Sequence, residues 1–378
     1  MALFRVFFAG AVLAHVWLYF SNDSIEYFFG STPHHLTYFG FEWVQALELD
    51  GMRRIYYLMA LSAVGVAFGL LYRISAVILF VTFTYTFLAD AGQFQNHFYL
   101  MSLISFLLIL IPAHRSFSVD SVLVPDKASG FIPNWCRVLL MFQIGIPYVF
   151  GGIAKLNNDW LHGMPVGIWI SAKSDLPIIG PLLTERWIHW FISYAGLVID
   201  LSCVPLLLWK RTRIPAVCVL TVFHLTNSVL FEIDVFPWMS ILSLAIFFPP
   251  NWPRRVLRLP GPQPPPSVGH EPCGLRQRCT LGLIGIYVCW QVLFPLRHLL
   301  YPGNPSWTEE GQQFAWRMML RTKNLFIRVY ATDGPSRQTV EVPVSELMNR
   351  RQIGEFAQSP DHIVATAQFF AELARAIG

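Results

Sequence analysis

The sequence predicts an all-α polytopic membrane bundle of about nine transmembrane helices, followed by a small extramembrane α+β C-terminal segment. Two observations predict this fold class. Of the 378 residues, 54% are hydrophobic and only 13% are charged, whereas soluble domains carry about 25% charged residues. The apolar residues also come in long uncharged runs, and a helix needs roughly 20 such residues to cross a bilayer. The net charge of +4 comes mostly from short loops, so we expect no nucleic-acid partner.

Nine segments are apolar and long enough to be predicted as spans. The first begins at Met1 and reaches Phe20, which is longer than the apolar core of a signal peptide. Several others are short, so we expect tilted or re-entrant helices among them. The predicted spans are 2–20, 54–72, 74–90, 97–113, 136–153, 187–208, 214–232, 235–250 and 279–296.

The loops between these spans predict the orientation. Twelve Lys and Arg residues fall in loops on one side, and five fall on the opposite side before the last span. Because the side rich in Lys and Arg is usually cytoplasmic, the richer side is assigned to the cytoplasm. Nine crossings then place the N-terminus in the cytoplasm and the C-terminal segment on the periplasmic or lumenal face.

The predicted membrane spans end at about residue 297, and the rest of the chain has the pattern of a small extramembrane segment. A Pro-rich stretch, Leu259–Ser267, precedes the last predicted span and is typical of an extended cytoplasmic linker. We therefore expect two domains: a transmembrane domain at 1–296 and a small outward-facing α+β segment at 297–378.

Within that segment, the hydrophobic pattern predicts a hairpin and a helix. Leu325–Tyr330 alternates apolar and polar residues, as a half-buried strand does. Thr332–Ser336 has turn residues, and Gln338–Val342 is predicted as the returning strand. His362–Ile377 has helical periodicity.

Lys155 ends the fifth predicted span and is the first candidate functional residue. Desolvation disfavours an ammonium group, and an ionisable residue at membrane depth is a functional candidate by default. Such a lysine is a candidate base in a water-poor pocket. Its position alone is equally compatible with a side chain that extends to the membrane interface.

Other polar side chains are predicted on the same outer side. Asn96 and His97 precede the fourth span, and His224 and Asn227 share one face of the seventh because they are three residues apart. The span count allows all four to meet Lys155 in one pocket. These residues could also have a purely structural role. His97 could bond to a neighbouring carbonyl at the start of a helix, and His224 with Asn227 could form hydrogen bonds between helices.

The remaining polar groups predict no further site. Glu232 and Asp234 fit a solvated loop edge, and we find no His, Asp and Glu set with recognised metal-ligand spacing. We therefore expect no metal. The six cysteines form no CxxC pair, and no common nucleophile motif occurs.

Several motifs occur in the order found in one enzyme family. They are Asn96–Leu100, Gly152–Leu156 with Asp159–Trp160, Phe223–Ser228 with Leu230–Phe231, Trp307–Gly311 and Phe314–Met319. The ordered set resembles the vitamin K-dependent gamma-carboxylase family, including its bacterial members with the HTTM membrane domain. The resemblance extends over nearly the whole chain.

The resemblance implies both the reaction and its co-substrates. Reduced vitamin K, phylloquinol or menaquinol, is oxidised by O2 to the epoxide. The strong base produced removes a γ proton from a glutamate in a peptide or protein, and the carbanion takes up CO2. The implied partners are membrane lipid, the quinol and a glutamate-containing substrate.

The resemblance also implies roles for individual residues. Lys155 matches the catalytic base, and Asn96 with His97 matches the pair that holds the quinol oxygen. The residues implied in substrate binding are His224, Asn227, Trp316, Met318 and Met319.

Two departures separate this chain from the animal members. Those have two adjacent lysines where this chain has Ala154–Lys155, and a much larger segment after the last span, where this chain has roughly 80 residues. The short form resembles the bacterial branch. We therefore expect a bacterial inner-membrane protein that uses menaquinol.

Two functions of other classes stay open. A non-catalytic quinone- or lipid-binding protein would bind quinol without consuming oxygen. A small-molecule transporter is compatible with the interruptions at Gly151–Gly152 and Gly163–Pro165, although we find no internal repeat of the kind that transporters carry.

Overall fold

The computed structural model describes residues 1–231, 233–260, 274–334 and 336–377. Glu232 and most of the predicted Pro-rich linker lie outside the described residues. The longer helices of the bundle are α1 (Ala2–Ser21), α3 (Leu49–Phe68), α4 (Tyr72–Leu88), α5 (Asn96–Leu110), α7 (Asn134–Ala154), α10 (Arg186–Leu208), α11 (Arg213–Leu230), α12 (Phe236–Ser243) and α14 (Leu275–Leu293).

Short helices join these elements and build the C-terminal segment. They are α2 (Ser24–Phe29), α6 (Val119–Leu123), α8 (Asn158–Leu161), α9 (Val166–Ser171), α13 (Trp252–Val256), α15 (Pro305–Thr308), α16 (Val344–Leu347), α17 (Arg350–Gln358) and the longer α18 (Pro360–Ile377). Single 3-10 turns lie at Ala91–Gln93, Pro125–Lys127, Gly180–Thr184, Leu244–Phe247 and Phe294–Leu300.

The structure confirms a mostly helical membrane protein but not nine spans. Among the described residues, five helices are long and apolar enough to cross a bilayer: Ala2–Ser21, Asn134–Ala154, Arg186–Leu208, Arg213–Leu230 and Gln277–Leu300. Three further apolar helices are shorter, Tyr72–Leu88, Asn96–Leu110 and Phe236–Phe247. The last of these is bounded by prolines, Pro237 in its first turn and Pro249 after it, and proline interrupts helical hydrogen bonding.

A two-stranded sheet near the C-terminus confirms the small β element. Strands β1 (Val329–Thr332) and β2 (Thr339–Val342) pair antiparallel, with Val329 opposite Val342. The first strand is therefore shorter than the predicted run from 325. The next residue toward the N-terminus would face Pro343, which has no backbone N–H to continue the ladder.

The C-terminal segment packs against the loops that contain His34 and Asp90. Gln352 on α17 donates from Nε2 to the buried Asp90 carboxylate at 2.6 Å and to the His34 carbonyl at 2.9 Å. The His34 ring stacks on Phe369 of α18 with 4.1 Å between ring centres. Buried residues of α17 and α18, such as Phe356, belong to the same apolar core as the bundle.

Helices α7 and α10 approach closely at one point, and this contact positions the site. A Cβ atom on Gly152 would lie 2.7 Å from Leu201 Cδ2 and 3.1 Å from the Leu201 backbone nitrogen. Only glycine allows this approach without displacing one helix. It places the C-terminal end of α7 beside the middle of α10.

Candidate functional site

A large cavity of about 1130 Å³ lies between the helices and the C-terminal segment. Its wall includes parts of α4, α5, α7, α10, α11, α12 and α14, together with residues between Glu309 and Met319. Pockets for small molecules and cofactors usually measure about 300–1,000 Å³. The cavity is therefore large enough for a ring system that carries a chain.

Lys155 lies in the cavity wall and pairs with Asp200 of α10. The distance from Lys155 Nζ to Asp200 Oδ2 is 2.5 Å, and the two residues are 7% and 5% exposed. Lys155 Nζ also lies 5.0 Å from the centre of the Trp160 ring. The lysine therefore has a buried carboxylate partner that the sequence analysis did not identify.

The local sequence explains why the lysine points inward at this place. Lys155 caps the C-terminus of α7, and Asn157 then starts α8 by accepting a hydrogen bond from the Trp160 backbone at 3.0 Å. Trp160 is held in turn by a hydrogen bond of 2.8 Å from its indole nitrogen to the Ser193 carbonyl on α10. A Cβ on Gly151 would stand 3.5 Å from Asp200 Oδ2 and 3.8 Å from Lys155 Nζ, so the glycine keeps the pair open to the cavity.

Asn96 and His97 also line the cavity, in the first turn of α5. Among the described residues, the buried Asn96 Oδ1 and His97 Nε2 atoms have no hydrogen-bond partner. Buried polar groups usually have a partner. These two atoms are available to bind a polar group of a ligand in the cavity.

His224 is buried in the same wall but is paired with a residue that the sequence analysis did not consider. Its Nε2 atom lies 2.7 Å from Tyr148 Oη of α7, and Nδ1 has no hydrogen-bond partner within the described chain. Asn227 lines the cavity as well. The rings of His97 and His224 each lie 5.5 Å from the Phe236 ring, so the two imidazoles flank one aromatic side chain.

The Trp-x-Met-Met run contributes the extramembrane part of the wall. Met318 and Met319 line the cavity, and Met318 Cε lies 3.4 Å from the position of a Cβ on Gly151, next to the Lys155 amine. Trp316 is fully buried and stacks on Tyr99 with 4.7 Å between ring centres. The structure thus brings seven of the eight predicted site residues into one wall, and Trp316 supports that wall from behind through Tyr99.

Part of the cavity wall is aromatic. Phe80, Phe106 and Tyr287 line this part, which we call the aromatic branch, and the Phe80 and Phe106 rings are 5.5 Å apart. His97 and Phe106 are nine residues apart on α5, which corresponds to about 13.5 Å along a helix. The wall is therefore polar at the first turn of α5 and aromatic further along that helix.

The part of the cavity wall that the C-terminal segment forms is charged. Glu309 accepts hydrogen bonds from Arg321 through both carboxylate oxygens and from Lys323 Nζ at 2.5 Å. Arg317 donates from Nε to Gln312 Oε1 at 2.9 Å. Burial raises the pKa of Glu355, which lies in the same wall outside the membrane helices, to about 7.

Sequence reasoning missed Asp200 and Tyr148. Asp200 is the one acidic residue in the predicted span 187–208, so the rule that identified Lys155 applies equally to it. Tyr148 gave no comparable signal, because tyrosine is common in apolar spans and only the fold shows which tyrosines face a histidine.

The fold and this site define a multi-pass helical membrane protein with a large internal cavity that ends at a buried amine–carboxylate pair. Comparison with known protein families gives two matches. The HTTM domain model matches residues 1–252, and the model of the vitamin K-dependent gamma-carboxylase lumenal domain matches residues 276–377. The chain therefore belongs to the vitamin K-dependent gamma-carboxylase family. No solved structure gives a significant match to the chain.

Proposed function

We propose that this protein is a vitamin K-dependent carboxylase that couples oxidation of a naphthoquinol to carboxylation of glutamate. When bound, the quinol reacts with O2 to give the epoxide and supplies the base strong enough to remove a γ proton of glutamate. The observation that carries the proposal is the buried Lys155 amine in the wall of a cavity that also has polar groups on α5 and an aromatic branch.

The residues present fit such a co-substrate. The branch beside Phe106 and Tyr287 provides an apolar, aromatic lining for a prenyl chain. At the first turn of α5, the buried Asn96 Oδ1 and His97 Nε2 atoms have no partner in the described chain and suit the polar oxygen of a quinol ring.

Lys155 is proposed as the base that takes the quinol hydroxyl proton. A neutral amine accepts a proton, whereas an ammonium does not, and the cavity excludes bulk water from this transfer. Asn96 is proposed to orient the quinol by accepting a hydrogen bond from its hydroxyl at Oδ1, and His97 is proposed to stabilise the negative charge that develops on the quinol oxygen by donating from Nε2. His224, Asn227, Met318 and Met319 are proposed as walls of the same binding site, with Trp316 supporting them.

Glutamate is proposed to reach the cavity at its charged wall. Arg317 lies there in the C-terminal segment and donates to the uncharged side chains of Gln312 and Ser306, and a guanidinium group binds a carboxylate well. We further propose that the chain crosses a bacterial inner membrane nine times, with a cytoplasmic N-terminus and a periplasmic C-terminal segment. Each of the nine predicted spans overlaps a helix, which supports this topology.

The proposal is tested with detergent-purified protein, reduced vitamin K, bicarbonate and air, with mass spectrometry for the quinone epoxide. Wild-type protein is expected to form epoxide, and Lys155→Ala is expected to lose at least about 100-fold of this activity, because general base catalysis contributes about 10²–10⁴-fold. Lys210→Ala removes an exposed lysine far from the cavity and serves as the matched control.

Carboxylation is measured in the same reactions with a glutamate-containing peptide and labelled bicarbonate. Incorporation of label that depends on the quinol and on Lys155 supports the coupled reaction. Quinol binding without epoxide in the wild type would instead identify a quinone-binding protein, and near-normal epoxidation by Lys155→Ala would exclude the lysine as the base.

A further inference from the structure

The steps proposed for Lys155, His97 and Asn96 do not use the buried carboxylate of Asp200. It contacts the proposed base and lies in the wall of the same cavity. We propose that Asp200 is the positioning residue of Lys155: it orients the amine and holds the proton that Lys155 loses before it acts as a base. This inference rests on the proposed function.

The geometry separates this pair from an ordinary surface ion pair. The Lys155 Nζ to Asp200 Oδ2 distance is 2.5 Å, and both side chains are almost completely buried. Within the described residues, neither has a second charged partner within 4 Å. A buried ion pair is weak evidence of a stabilising role, because apolar residues of similar size are often at least as stable.

The surroundings allow the proton to move within the pair. Tyr148 on α7 and Cys203 on α10 interact electrostatically with Asp200. The uncharged side chains of Trp160 on α8 and Met318 in the C-terminal segment lie beside the pair. Tyrosine and cysteine are ordinarily uncharged at neutral pH, so the charged group in contact with the Lys155 amine is Asp200.

When the quinol is bound, transfer within the pair breaks one N–H bond at Lys155 Nζ and forms an O–H bond at Asp200 Oδ2, which leaves an uncharged amine and an uncharged acid. The amine lone pair then forms a new N–H bond with the proton of the quinol hydroxyl, and the electron pair of the broken O–H bond stays on that oxygen. No oxidant is needed for either transfer.

The first test measures the amine without any quinol. Cyanate is small and carbamylates only uncharged amines, so peptide mass spectrometry after brief exposure at a series of pH values gives the pH at which half of Lys155 reacts. An opposite charge within about 4–6 Å changes such a midpoint by about 1–3 pH units. Asp200→Asn is therefore expected to lower it by about 1–3 units, and the exposed Asp175→Asn control is expected to leave it unchanged.

The second test covers the case in which Asp200→Asn does not fold. Infrared spectra of Lys155→Met are expected to gain the C=O band of a protonated carboxyl at neutral pH, because a buried carboxylate without its partner is costly. The band is expected to be absent from the wild type and from the double variant Lys155→Met/Asp200→Asn. Identical spectra for the wild type and Lys155→Met would overturn the inference.

The epoxidation assay separates this inference from the proposed function. For folded Asp200→Asn, the rising limb of the pH–rate profile is expected to move to lower pH together with the cyanate midpoint. If the wild type forms epoxide and both profiles of Asp200→Asn match the wild type, the role of Asp200 is excluded and the proposed function stands. If the midpoint shifts but no protein forms epoxide, the pairing stands and the proposed function fails.

Discussion

At the scale of single residues, Gly151 and Gly152 are neighbours in the chain with opposite surroundings. A Cβ on Gly152 would overlap the Leu201 side chain and come within 3.1 Å of its backbone nitrogen, whereas a Cβ on Gly151 would make ordinary contacts of 3.4–3.8 Å. The two glycines therefore serve different purposes. Gly152 allows two helices to approach, and Gly151 leaves space beside the Lys155 amine.

Gly152→Ala is expected to destabilise the protein by about 1–3 kcal/mol, the usual effect of overpacking, and to reduce epoxidation because Leu201 adjoins Asp200. Gly151→Ala is the matched control for stability, and it is expected to be neutral or up to about 1 kcal/mol more stable, since alanine favours a helix over glycine. Thermal unfolding in detergent, followed by tryptophan fluorescence, compares the two. Equal losses of stability would contradict the close approach at Gly152.

Part of the candidate site was predictable from the sequence, residue by residue. Lys155 and His97 were identified because an ionisable group at membrane depth is unusual and because the ordered motifs resemble a known family. Asp200 follows from the first argument but not from the quoted motifs. The hydrogen bond between Tyr148 and His224 depends on which faces of α7 and α11 meet, and a single sequence does not determine that.

At the scale of elements, α17 attaches the C-terminal segment to the bundle through Gln352. Gln352→Leu removes the hydrogen bond to the fully buried Asp90 carboxylate, which keeps its contacts with His35 Nδ1 at 3.1 Å and with the Gly92 amide at 2.7 Å. Loss of one partner of a buried carboxylate is expected to weaken docking by about 1–3 kcal/mol.

Limited proteolysis measures this weakening, as faster cleavage within the C-terminal segment while the transmembrane core stays intact. Gln338→Leu, at an exposed position in the hairpin, is the control with the same chemical change. Unchanged cleavage of Gln352→Leu would mean that apolar contacts alone hold α17 in place.

His34 predicts how this docking depends on pH. Burial, and then the nearby His35, lower the pKa of His34 from 6.5 to about 4. The undocked state therefore binds more protons between these values, so docking is complete above about pH 6.5 and weakens as the pH falls toward 4. Burial also lowers the pKa of His362.

His34→Phe keeps an aromatic ring against Phe369 and removes the titration. It is expected to reduce the difference between proteolysis rates at acidic and neutral pH relative to the wild type. Wild type and His34→Phe are compared by this acid–neutral difference in proteolysis rate, because Glu355 contributes to both proteins. The raised pKa of Glu355 favours docking at lower pH, which opposes the effect of His34. An unchanged pH dependence in His34→Phe would assign the effect to other groups.

At the scale of the whole molecule, the main prediction to test is the orientation of the chain in the membrane. A C-terminal alkaline phosphatase fusion is expected to be active in bacterial cells and a C-terminal green fluorescent protein fusion to be dark, because the segment after α14 is proposed to be periplasmic. The same reporters fused after Lys210, in a basic inner loop, are expected to give the reverse result. Identical results at both positions would exclude the nine-crossing topology.

Sequence reasoning located helices over all nine predicted spans, but length and composition support a crossing for only five of the described helices. Three of the other four helices are apolar but shorter than a crossing usually requires, and Leu49–Phe68 is long enough but carries Asp50, Arg53 and Arg54 in its first two turns. The division at residue 297 stays a prediction, while the cavity itself draws its wall from both sides of that division.

That shared wall has a consequence for biogenesis. Chains are synthesised from the N-terminus, and earlier parts fold first. Lys155 and Asp200 are therefore made well before Met318, and the cavity wall that they form stays incomplete until residues 309–319 have docked. A nascent or truncated chain would leave this buried pair uncovered on the side that Met318 closes.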